Sequence, residues 1–214
     1  MMLNNWKYFL SIKRNWLWLF FQSLILFVFL KVFELVIQFS HYRHSIQIKD
    51  WLFIFQPLDL SVAICIFTYS GILIAACYLI RTPEQFFNAL NLLLAQNIIR
   101  AYCIYLVPLA PPEGMIYLND PFLAFAFYKG IEIKTDLFFS GHVSNLFLLA
   151  LIINERKLKY IVLIITATVG IMLIIQRVHY SLDVISAPVI SWIIYKTLGR
   201  WLNFYTPKFK ETVD

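Results

Sequence analysis

Two short stretches of this chain hold residue types that can do phosphorus chemistry. In His179-Tyr180-Ser181-Leu182-Asp183 the imidazole and the carboxylate are four positions apart, so on a helix they share a face. A carboxylate beside an imidazole fixes its tautomer and supports its charged form, which leaves the other nitrogen to attack phosphorus or carry a proton. Alone, the pair also reads as an interfacial histidine beside a helix-capping aspartate. Ser140-Gly141-His142 opens an apolar run. Glycine there lets backbone approach a ligand, and the free N–H groups of a first helical turn favour an anion. Alone, that tripeptide also reads as a simple helix start with Ser140 as the N-cap residue.

Arg100 lies inside an apolar segment, flanked by Gln96 and Asn97. An intramembrane arginine is costly enough to mark a functional site, and guanidinium suits phosphate better than ammonium does. The competing assignment is a structural pair with an acidic residue. Asp136 and Arg177, just ahead of the two motifs, complete the candidate set for phosphate or headgroup binding. Lys31 and Glu34 are three apart in the first apolar run and most simply neutralise each other. His41 and His44 lack a nearby Cys, Asp or Glu set that would complete a metal site, and read as interfacial loop residues.

The elements that must position these residues are membrane helices. With 61% hydrophobic and 14% charged residues over 214 positions, the chain cannot hide its apolar side chains in a soluble core. Runs near the roughly 20 residues needed to cross a bilayer fall at 15–40, 60–80, 86–109, 137–154, 160–176 and 181–201. The sequence thus predicts an all-α, polytopic bundle of six transmembrane helices, one membrane domain over 1–214 with its motifs within about 95–190. The third run begins at Thr82-Pro83-Glu84-Gln85, with threonine at the N-cap, proline at N1 and glutamine at N3. The first run is too long for the core of a signal peptide and is expected to be a retained helix. Phe-rich stretches such as 20–33 read as lipid-facing or packing surface.

Charge sets the expected orientation. Lys7, Lys13, Arg14, Arg81, Arg156, Lys157, Lys159, Lys196, Arg200, Lys208 and Lys210 fall on the side of the termini; Arg43, Lys49, Lys129, Lys134 and Arg177 fall opposite. The positive-inside rule therefore puts both termini in the cytoplasm. Both histidine motifs and the outer half of the third span then face the non-cytoplasmic side. The net charge of +6 is spread over segment ends and forms no basic stripe, so anionic lipid headgroups rather than nucleic acid are the expected partners. Cys65, Cys77 and Cys103 all lie within apolar segments and are expected to be free, buried thiols. The outer segment 111–135, with Tyr117, Phe122, Phe125, Phe127 and Tyr128, is expected to lie on the membrane over the site and help admit lipid.

The paired motifs, each opening a membrane helix on one side, resemble the phosphatidic acid phosphatase type 2 superfamily. Within it, three stretches are similar to the sphingomyelin synthase branch: Arg100-Ala-Tyr-Cys-Ile-Tyr-Leu-Val-Pro108-Leu-Ala-Pro111, Asp136-Leu-Phe-Phe-Ser140-Gly-His142, and His179-Tyr-Ser-Leu-Asp183-Val. The resemblance spans about 60–200. The phosphatase pattern of a lysine followed by Arg-Pro is missing, and Leu173 stands where the third phosphatase motif carries its arginine, which argues against an ordinary lipid phosphatase. The synthase branch usually has Cys-Gly before the aspartate and threonine after the first histidine, where this chain has Lys134-Thr135 and Val143.

The resemblance implies an enzyme that moves a phosphoalcohol headgroup from a membrane phospholipid to a lipid alcohol such as ceramide. In that scheme His179 attacks phosphorus, Asp183 orients it, and His142 acts as acid and then base. Arg100, Arg177 and the backbone at Ser140 and Gly141 neutralise phosphoryl oxygens, and Asp136 tunes His142 or meets a cationic headgroup. The scheme needs no metal and no cofactor. A lipid phosphatase, with water as acceptor, and a non-catalytic membrane scaffold or transporter are the alternatives.

Overall fold

The computed structural model describes residues 2–120 and 137–205. Among these there are seven helices: α1 (Met2–Ser11), α2 (Lys13–Tyr42), α3 (Ser61–Leu79), α4 (Pro83–Leu106), α5 (Gly141–Ile152), α6 (Arg156–Ile175) and α7 (Ser181–Tyr205). The only β pairing among the described residues is a single bridge between Ile46 and Leu109.

Five helices, α2, α3, α4, α6 and α7, are long and apolar enough to cross a bilayer, which makes this an integral membrane protein. The expected fourth span corresponds to α5, a shorter apolar helix, so among the described residues five of the six expected spans reach full length. At 12 residues, α5 is about 18 Å long against a hydrocarbon core of about 30 Å. The reason lies in the residues just before it. Ser140 donates its N–H to the Asp183 carbonyl, 3.1 Å, and the Phe139 carbonyl accepts from Arg100 Nε, 2.8 Å. Non-helical backbone is tolerated at depth in a membrane protein when other protein groups satisfy it, as they do here.

Despite its length α5 is the centre of the bundle, packing on α3, α4, α6 and α7. Leu146 and Leu148 are fully buried, and Gly71 of α3 allows the close approach. A Cβ at that glycine would lie 2.7 Å from Leu146 Cδ2 and 3.2 Å from Ile165 Cγ2. Small residues at such crossings let membrane helices gain packing contacts that lipid cannot supply. By contrast α2 packs on α4 and α1 but not on α3. Its outward Phe20, Phe21 and Phe27 are exposed while Phe33 is buried, so the aromatic stretch serves both lipid and packing.

One end of the bundle is closed by α1, a helix for which the sequence reading made no provision. Trp6 donates Nε1–H to the Ile80 carbonyl at 2.8 Å and meets Phe86 and Phe87 edge-on, while Phe9 stacks on Phe87. α4 starts with Thr82 at the N-cap and Pro83 inside the first turn, as expected, although the Thr82 side chain makes no capping bond. At the other end Arg43 donates to the carbonyls of Ile104 and Tyr105 at the close of α4, where a cation complements the helix dipole. The three cysteines are free, but only partly as expected: Cys65 and Cys103 are half-buried, and Cys77 is exposed on the outside of α3. Lys31 Nζ lies 3.5 Å from Glu34, as their spacing implies.

Candidate active site

The turn from α6 to α7 places the first histidine. α6 closes with Val178 N–H on the Leu173 carbonyl and Arg177 N–H on the Ile174 carbonyl, the bond pair of a Schellman motif. The left-handed position of that motif, usually glycine, is Arg177, with φ +57°. Its side chain explains the exception. Nη1 donates to the Glu113 carbonyl, 2.9 Å, Nη2 to the Phe55 carbonyl, 2.7 Å, and the guanidinium lies over the Phe53 ring. Arg177 therefore clamps two outer loops, and it is not among the residues lining the cavity.

His179 lies two residues before α7, so it does not meet Asp183 by sharing a helical face. Asp183 is the third residue of α7 and accepts the Tyr180 N–H at 3.0 Å, the carboxylate half of a capping box. That bond brings its Oδ2 to 3.5 Å from His179 Nδ1. Both side chains are buried, Asp183 completely. With Nδ1 facing the carboxylate, Nε2 is the nitrogen left to the cavity that His179 lines. The start of α7 is held from outside by Asp50, which accepts from Ser181 N–H at 2.6 Å and from its hydroxyl at 2.9 Å. Tyr180 is buried and donates its hydroxyl to the Ala110 carbonyl at 3.0 Å; burial pushes its phenol above the usual range.

His142 enters on the first turn of α5, beside Arg100. Arg100 is 6% exposed, and its guanidinium lies against Gly141, where a Cβ would meet Cζ at 2.9 Å and Nε at 3.1 Å. Glycine is thus required here by the closeness of an arginine. The Ser140 carbonyl accepts the Ser144 N–H, and the N–H groups of Gly141, His142 and Val143 have no backbone acceptor among the described residues. The Ser140 N–H is engaged by Asp183, so the expected backbone contribution of that residue falls to Gly141. The Ser140 hydroxyl caps nothing; it is buried and has no partner among the described residues.

The carboxylate beside His142 is one that sequence reading missed. Asp120 Oδ2 lies 3.7 Å from His142 Nε2, and Asp120 Oδ1 accepts the Tyr69 hydroxyl at 2.6 Å. Asn119-Asp120-Pro121 reads as an ordinary turn, and only the burial of Asp120 distinguishes it. Asp136, expected in this role, lies outside the described residues, as does most of segment 111–135. The part that is described, including Met115, Tyr117, Leu118 and Asp120, lines the site.

Arg100, His142, His179 and Asp120 meet at one end of a cavity of about 450 Å³, within the range of small-molecule sites. Its remaining walls are largely apolar, from Leu26, Phe29 and Leu30 of α2, Ile72 of α3, and Leu90 and Leu94 of α4. Arg100 and Phe87 both line it; thirteen residues apart on α4, they give a depth of about 20 Å. A polar head group with an apolar tail fits such a cavity. Two imidazoles on one cavity, each beside a carboxylate, and a buried guanidinium can pass a phosphoryl group with one nucleophile and one proton carrier.

Residues 135–200 match a family model described as PAP2 superfamily C-terminal. The matched stretch contains Ser140, Gly141, His142, His179 and Asp183. It supports membership of the phosphatase type 2 superfamily and an enzyme of lipid phosphatase or phosphotransferase type. No curated protein and no solved structure matches the chain.

Proposed function

We propose that this protein is a lipid headgroup phosphotransferase of the sphingomyelin synthase kind, moving a phosphoalcohol headgroup from a glycerophospholipid to a lipid alcohol such as ceramide. The observation that carries the reading is the pair of histidines, each with its own carboxylate, at the polar end of a deep apolar cavity against buried Arg100. The donor enters from the bilayer between α2 and α3, which do not pack on each other. Its phosphate lies against Arg100 and the first turn of α5. His179 Nε2 forms a bond to phosphorus as the bond from phosphorus to the diacylglycerol oxygen breaks, and His142 gives that oxygen a proton. Asp183 holds the His179 tautomer and stabilises its positive charge, and Asp120 does the same for His142. The acceptor hydroxyl then gives its proton to His142 and attacks phosphorus, breaking the bond to nitrogen and freeing His179. The orientation proposed from charge puts both termini in the cytoplasm and this site on the non-cytoplasmic side.

Transferase and phosphatase differ in whether lipid or water reaches the phosphohistidine. Purified protein incubated with a headgroup-labelled phospholipid, with and without ceramide, separates them. Labelled sphingolipid formed only when ceramide is present supports the transferase. Free phosphoalcohol or phosphate released regardless of acceptor overturns it in favour of the phosphatase, and no turnover by protein that also survives His142→Ala and His179→Ala unchanged leaves a non-catalytic membrane protein.

A further inference from the structure

One helical turn below Arg100 and His142, the cavity carries a second polar site. Asn97 lies three residues from Arg100 on α4, and Asn145 three residues from His142 on α5, both displaced about 4.5 Å toward the apolar end. Their amide orientations follow from one acceptor. The Leu93 carbonyl can only accept, and Asn97 Nδ2 bonds it at 2.8 Å, so the Asn97 nitrogen is placed. The same nitrogen donates to Asn145 Oδ1 at 3.1 Å, and Gln96 Nε2 donates to that oxygen at 3.0 Å. Asn145 is therefore turned with its oxygen doubly engaged and its NH₂ away from both partners.

Two groups remain: the Asn145 NH₂, a donor, and Asn97 Oδ1, an acceptor. Neither has a partner among the described residues, neither is among the fully enclosed polar atoms, and both residues line the cavity. We infer that Asn97 and Asn145 form a donor and acceptor pair that reads the linkage between a lipid's phosphorylated backbone and its acyl chain, matching an amide better than an ester. An amide offers a carbonyl to Asn145 and an N–H to Asn97; an ester offers only the carbonyl; an alkyl ether lacks both the carbonyl and the N–H. This rests on the proposed lipid site, with the phosphate at Arg100.

The test is equilibrium competition in nanodiscs, scored by native mass spectrometry, among three phospholipids of one headgroup and chain length that differ only in an amide, ester or ether linkage. The wild-type protein is expected to prefer amide over ester and ester over ether, each step about fivefold, the worth of one hydrogen bond. Asn145→Asp keeps the oxygen that Gln96 and Asn97 use but loses the outward donor. The new carboxylate oxygen repels a carbonyl that would face it and meets none in the ether, so the preference of ester over ether should vanish or reverse. A wild-type protein that does not rank the three lipids overturns the inference, and so does an Asn145→Asp protein that keeps the full ranking. Turnover of the same lipids is scored separately. A protein that ranks them as expected but transfers nothing keeps this inference and overturns the proposed reaction.

Discussion

Replacing Gly141 by alanine isolates the contribution of Arg100 without touching a charged or titratable group. The new methyl carbon would lie 2.9 Å from Cζ, 3.1 Å from Nε and 3.2 Å from Nη1 of Arg100. Relief requires the guanidinium to retreat about half an ångström. The retreat is away from the segment that also supplies the Phe139 carbonyl, to which Nε donates at 2.8 Å. A hydrogen bond with one charged partner contributes about 1.5–3 kcal/mol, whereas alanine gains at most about 1 kcal/mol of helix propensity over glycine. The clash outweighs the propensity gain, so the variant is expected to be slightly less stable. With the phosphate at Arg100 as proposed, a displacement of the guanidinium by up to an ångström should lower turnover by about 10- to 100-fold. The assay is release or transfer of a labelled headgroup in mixed micelles, with unfolding temperature in detergent as the control. A double-mutant cycle makes the reasoning strict: in an Arg100→Ala background, Gly141→Ala should cost nothing further. Wild-type turnover in the single variant, or an additional loss in the double variant, would refute an effect through Arg100.

Three further outcomes are expected. Asp183→Asn retains an acceptor for the Tyr180 N–H and should fold normally, yet lose on the order of 10³-fold or more in turnover, because the tautomer of His179 is no longer held; an active variant would show that the carboxylate serves only as a helix cap. Asp120→Asn, which preserves an acceptor for the Tyr69 hydroxyl, should reduce turnover about 10²-fold with little change in unfolding temperature, and equal activity would remove Asp120 from the proton-carrying pair. Because burial raises the Tyr180 phenol above its unfolded value, its contribution to stability is complete below about pH 10 and is lost as pH rises through the folded value. Wild-type stability should fall in that alkaline window, and Tyr180→Phe, lacking the bond to Ala110, should be about 1–2 kcal/mol less stable at neutral pH but lose this part of the alkaline decline.

The long helices were legible because continuous apolar runs have few other ways to exist, and their predicted ends lie within a few residues of those observed. α5 shows where that logic stops. Hydropathy sees the apolar Leu137-Phe138-Phe139 as part of a span, but the backbone there is engaged by Arg100 and Asp183 from two other helices. The pairing of His179 with Asp183 was anticipated from helical spacing and arises instead from a capping bond before the helix begins. Arg177 and Arg100 looked alike as permanent charges near the motifs; only the folded loops distinguish a clamp on Glu113 and Phe55 from a guanidinium inside the cavity. Asp120 and Asp50 were not legible, since each acts on a partner far along the chain and neither lies in a pattern of its own.

The hydrogen bond from Ser140 N–H to the Asp183 carbonyl joins the two histidine motifs through main chain alone. Any non-proline residue can supply that donor and any residue that acceptor, so side chains on both motifs can change without altering the spacing between them. On the proposed reaction, a scaffold stitched in this way lets acceptor choice and headgroup choice drift by substitution at the cavity wall. The spacing between the motif that carries the proposed nucleophile and the motif that carries the proposed proton carrier is then inherited unchanged.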